Sequence, residues 1–78
     1  MDENERASRE YMVMNTLVEE GMEPDYTWTL MSEIVLTFPN FIEFEEGCRI
    51  IVRDLLMNEE IITTTIRNKR REVWIAFE

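Results

Sequence analysis

The stretch Pro24-Asp25-Tyr26-Thr27-Trp28-Thr29-Leu30-Met31-Ser32-Glu33-Ile34-Val35-Leu36-Thr37-Phe38-Pro39 decides how the chain is built. Pro24 and Asp25 form a turn and cap pair. Trp28, Met31, Val35 and Phe38 then recur at three- and four-residue steps, and Ile34 widens the stripe. Pro39 stops the pattern, since it has no N–H to continue a helical ladder. The spacing predicts a helix across this stretch.

Helices are also expected on both sides of it. Upstream, over residues 5–20, Ala7, Tyr11, Met14 and Val18 recur at four, three and four, with Leu17 beside them, and Gly21 supplies a left-handed closing residue. Downstream, Asn40 can cap a third helix and Glu43 stands three residues on, as in a capping box. Phe41, Phe44, Cys48, Ile51, Val52 and Leu55 fall within one face about 100° wide, so this helix is expected over residues 41–57.

The period then drops to two. Ile61-Ile62-Thr63-Thr64-Thr65-Ile66 is β-branched throughout, a composition that suits a strand and burdens a helix. After the polar loop Arg67-Asn68-Lys69-Arg70-Arg71, Val73, Ile75 and Phe77 share one face of a second strand and Trp74 and Ala76 the other. Asn68 tolerates the positive φ of a short hairpin loop. The expected domain occupies residues 7–78, behind a flexible acidic terminus at residues 1–6, with no repeat, linker or low-complexity segment.

Composition narrows the function. Seventy-eight residues make one domain, and a chain of this length leaves little room for a cleft. The net charge is −9: residues 1–66 carry fifteen acids and four bases, whereas Arg67, Lys69, Arg70 and Arg71 place four positive charges within five positions. There is no histidine, so the usual general base near neutral pH and imidazole metal ligation are both missing. Cys48 lies on the expected core stripe as an inert thiol, and no glycine-rich phosphate loop or nucleophile elbow is present. No cofactor, no metal and no enzymatic activity are expected. One cysteine without a disulfide partner, an acidic amino terminus and the lack of a long apolar run predict a soluble cytoplasmic protein.

Three helices followed by a hairpin with a basic tip resemble the winged-helix domain. Tyr11-Met12-Val13-Met14-Asn15-Thr16-Leu17-Val18-Glu19-Glu20-Gly21 looks like the first helix of bacterial winged-helix regulators. Ile50-Ile51-Val52-Arg53-Asp54-Leu55-Leu56-Met57-Asn58-Glu59-Glu60-Ile61-Ile62 looks like the end of their third helix running into the wing. The resemblance implies an α+β fold and DNA binding through the third helix and the wing. This chain departs from it where DNA would be read: Glu43, Glu45 and Glu46 stand on the third helix with no base among them, and each would face phosphate repulsion.

The expected function is therefore that of an acidic regulatory protein that binds another protein, one with a basic surface, as an adaptor or a DNA-mimic-type inhibitor. The surface of helix three opposite its stripe nominates Glu43, Glu46, Ile50, Arg53 and Asp54, with Ile50 as an apolar anchor inside a charged rim. A solvated acidic face and a homodimer contact remain open beside that reading. Met12, Leu36, Met22 and Met57 lie off the stripes and suit either an adaptable apolar surface or core filler. Arg67, Lys69, Arg70 and Arg71 could touch nucleic acid or an acidic neighbour, and the acidic field of the remaining chain disfavours the former. The alternative is a dimeric winged-helix DNA-binding transcription regulator that uses the basic wing.

Overall fold

The computed structural model describes residues 2–30 and 32–78; Met1 and Met31, the latter a member of the expected second helical stripe, lie outside it. The order of elements is α1 (Glu3–Val18), β1 (Asp25–Leu30), β2 (Glu33–Thr37), α2 (Phe41–Ile50) with a π-helical continuation (Ile51–Leu56), β3 (Thr63–Arg67), a short 3-10 turn (Asn68–Arg70) and β4 (Glu72–Ala76). The four strands form one antiparallel sheet in the order β1-β2-β4-β3. The α+β class stands, but the three-helix winged-helix architecture does not. The C-terminal hairpin is half of a four-stranded sheet and not a wing.

The difference lies in the stretch expected as the second helix, where β1 (Asp25–Leu30) and β2 (Glu33–Thr37) pair as antiparallel strands. Tyr26, Thr27, Trp28 and Thr29 alternate aromatic and β-branched side chains, which favours extended backbone. The true period across β2 is two: Ile34, Leu36 and Phe38 are buried together. Nearly every residue of 34–38 is apolar, so a three-to-four spacing can be drawn through the segment as readily as a two-residue one. Trp28 lies opposite Ile34 and Tyr26 opposite Leu36, which places both aromatics on the same sheet face as the β2 core residues.

That face carries the core. Ile34, Leu36, Val73 and Ile75 from the two central strands cluster with Val13 and Leu17 of α1, Phe44 and Ile50 of α2, and Ile51 and Leu55 of the π segment. Both helices therefore cover one side of the sheet, and each fully buried aliphatic contributes about 1.5–3 kcal/mol. The other side is open and shows Thr27, Thr63 and Thr65 around Trp74. The expected stripe of the first helix is rotated outward, since Tyr11 and Val18 are exposed while Val13 and Leu17 are buried. Residues 3–6, set apart above as an acidic terminus, are the first turns of α1. No helix among the described residues is long and apolar enough to cross a membrane.

The chain is built twice from one α-β-β plan, which overturns the expectation of no repeat. Asp2 caps α1 by accepting from the Glu5 N–H at 2.8 Å, and Asn40 caps α2 by accepting from the Glu43 N–H at 2.9 Å. The 16 residues of α1 equal the 10 of α2 and the 6 of its π segment taken together. Both helices close with the same pair of bonds, Gly21 N–H to Val18 C=O with Met22 N–H to Leu17 C=O, and Glu59 N–H to Leu56 C=O with Glu60 N–H to Leu55 C=O. The closing residues both have positive φ, 84° at Gly21 and 59° at Glu59. Glu33-Ile34-Val35-Leu36-Thr37-Phe38 matches Glu72-Val73-Trp74-Ile75-Ala76-Phe77 in pattern. Val35 pairs with Trp74 at the centre, and Phe38 N–H to Arg71 C=O mirrors Phe77 N–H to Ser32 C=O, as a local two-fold requires.

Candidate functional site

The two-fold places equivalent positions of α1 and α2 side by side for comparison, and they are not equally apolar. At the first turn of α1 stand Glu3 and Asn4; the same positions of α2 hold Phe41 and Ile42. Ile42 is 83% exposed and Phe41 53% exposed. Ile42, Glu45, Glu46 and Arg49 line a shallow depression on the outer surface of the helix. A second shallow apolar depression continues along the same helix through Cys48, Arg49, Val52, Arg53 and Met57.

The exposed aliphatic on the outer side of α2 is Ile42 and not Ile50. Ile50 is fully buried in the core and cannot anchor a partner. The buried side of α2 runs through Phe44, Gly47 and Ile50 and continues through Ile51 and Leu55. At 100° per residue this centre is rotated by about 60° from the stripe drawn through Phe41, Cys48 and Val52. Phe41 and Val52, assigned to the core from spacing, are exposed, and Cys48 is half-buried. The signal that fixes the rotation is Gly47: a Cβ there would lie 2.3 Å from Cζ of Phe38, so the helix seats its glycine directly on that ring. Opposite Gly47 and Leu55 comes Ile42.

The charged members of the expected face are largely engaged with one another. Arg53 reaches Glu20 at 2.6 Å and clamps Asp54 through bonds of 2.7 and 2.6 Å, tying α2 to the end of α1. The Arg53 hydrogen bond holds the Asp54 carboxyl below the usual carboxylate range, and the two acids together push the guanidinium pKa further up. Arg49 pairs with Glu46 one turn back. Glu43 is half-buried at the capped first turn, where the helix dipole favours a negative charge, and Glu45 is exposed. The pKa of the Cys48 thiol is raised above its ordinary value, by burial first and by Glu45 second.

The basic turn is also partly committed. Arg71, in the left-handed region at φ 52°, donates its Nε–H to the Phe38 carbonyl at 2.8 Å and lies 5.8 Å from the Phe41 ring. Arg67 stacks 4.7 Å above Trp74 on the open face of the sheet. Lys69 and Arg70 are exposed. The four cations expected as one contact surface are thus divided between two structural roles and two solvent-facing ones.

Among the described residues, no three His, Cys, Asp or Glu side chains gather closely enough to hold a metal ion. Compared with protein-family models, with curated proteins and with solved structures, the chain matches none.

Proposed function

We propose that this protein is a non-catalytic binding module whose α2 surface, centred on Ile42 and Phe41 and rimmed by Glu45, Glu46 and Arg49, docks onto a basic surface of another protein. The exposure of Ile42 in the middle of an acidic rim carries the reading. A large aliphatic surrounded by charge matches the anatomy of an interface anchor: apolar contact supplies the affinity, while the rim steers approach and excludes wrong partners. The overall charge of −9 strengthens that steering toward a cationic partner, among which nucleic-acid-processing proteins are the natural class. An acidic surface of this kind acts as an inhibitor or adaptor by occupying a site that would otherwise meet phosphate.

The test is affinity capture from native extract with the immobilised full chain. Ile42→Asp should reduce recovery of the bound protein by at least about tenfold, the scale of an interface hot spot. Glu45→Lys should slow association and weaken the salt dependence of capture. Recovery that ignores both substitutions would remove α2 from the account.

A further inference from the structure

The two outer strands of the sheet treat their free edges differently. β1 begins after Pro24, carries Asp25 at its start and breaks register between Trp28 and Leu30. Its helix-side surface is covered by Tyr26, bonded to Glu10, and by Trp28 beneath the Arg6 guanidinium at 4.9 Å. Proline, charge, irregularity and covering side chains are the devices by which sheets avoid pairing with another chain.

β3 has none of them before its last residue, Arg67, which lies over Trp74 on the open face. Its five residues pair with β4 in unbroken register, four of the five are β-branched, and the strand holds no charge before Arg67. The positions equivalent to Tyr26 and Trp28 are Thr64 and Ile66, which leave this margin uncovered. Ile62 and Ile66 are both exposed. An extended strand with a free row of N–H and C=O groups and apolar flanks is a template for strand addition.

The charges beside β3 select the occupant. Glu59 and Glu60 precede the strand; Arg67, Lys69 and Arg70 close it. A strand acidic at one end and basic at the other is complementary to itself when run antiparallel, because pairing centred on Thr65 sets each acidic end against the basic end of the second copy. A parallel arrangement would oppose like charges at both ends. We propose that β3 pairs with β3 of a second copy of this chain, joining two four-stranded sheets into one of eight strands through a self-complementary two-fold interface. This surface is separate from Ile42 and leaves the α2 docking face free in each copy.

Sedimentation equilibrium of the full chain tests the pairing, with circular dichroism as a check on folding. The wild type should sediment as a dimer of the 9.4 kDa chain. The acid-end variant, Glu59→Lys with Glu60→Lys, and the base-end variant, Lys69→Glu with Arg70→Glu, should each dimerise at least about tenfold more weakly, since each then opposes like charges at both ends. Mixed in equal amounts they should recover a one-to-one heterodimer. The acid-end variant is the sharper arm: its substitutions reduce net repulsion between copies, so a simple net-charge effect would strengthen its association. A monomeric wild type, an acid-end variant that dimerises as well as the wild type, or a mixture that forms no heterodimer would each overturn the proposal. None of these results depends on whether a basic protein is captured through Ile42.

Discussion

The two α-β-β halves share caps, helix length, closing turns and central-strand pattern, yet they solve the same packing position in opposite ways. Under α2, the helix of the second half, the ring of Phe38 from the end of β2 lies against Gly47, with helix backbone directly on the aromatic. Under α1, the helix of the first half, the equivalent ring, Phe77 from the end of β4, lies against Arg9, whose guanidinium sits 5.0 Å from the ring centre, and against Trp28 at 5.8 Å. One seat is closed by backbone and the other by a flexible side chain. The difference teaches that the repeated plan is set by local chain chemistry, whereas the side chains filling it are free to diverge, and a feature present in only one half is where function is to be sought.

Removing the two rings should separate the halves most widely. Phe38→Ala should cost about 3–5 kcal/mol, because the backbone above Gly47 cannot collapse into the space. Phe77→Ala should cost less by about 1 kcal/mol or more, since Arg9 and Trp28 can close over the gap. Urea unfolding of the two variants measures the gap, and equal losses would mean that the seats are equivalent. Next in size is Gly47→Ala. The gain in helix propensity, at most about 1 kcal/mol, is outweighed by overpacking against Phe38, so a net loss of about 1–2 kcal/mol is expected. The same substitution in a Phe38→Leu background should cost clearly less, by coupling between touching residues.

The smallest effect lies at the closing turns. Gly21→Ala should destabilise by about 1 kcal/mol, because a Cβ is strained at positive φ, while Glu59→Gly at the matching position should stabilise by about 0.5–1 kcal/mol. Thermal midpoints moving in opposite directions would support the equivalence of the two turns; a loss on Glu59→Gly would break it.

The local chemistry was legible wherever it had a single reading. Asn40 and its bond to Glu43, Gly21 as a closing residue, and the β-branched run ahead of the basic loop all point to the elements they form. Residues 24–39 were not legible by spacing, because a dense apolar run satisfies both periods and only the alternation of Tyr26, Thr27, Trp28 and Thr29 favours a strand. The repeat was hidden for a related reason. Its strongest trace, residues 33–38 against 72–77, falls partly inside the stretch read as a helix, and the helices agree in caps and buried positions more than in residue identity. At the candidate site the acids were visible, but their apolar centre was not. Phe41 and Val52 pulled the expected core face around the helix, so Ile50 stood where Ile42 belongs, and tertiary contact between Gly47 and Phe38 sets the true rotation.

The central claim is that the first turn of α2 carries a binding function that the first turn of α1 lacks. Exchanging Phe41 and Ile42 for the pair found in the other half, by Phe41→Glu with Ile42→Asn, tests it most directly, with Glu3→Gln and Asn4→Ser in α1 as the control. Partner capture by the full chain should fall at least about tenfold for the α2 pair and stay at the wild-type level for the α1 pair, with circular dichroism unchanged in both. Undiminished capture by the folded α2 variant would contradict the account.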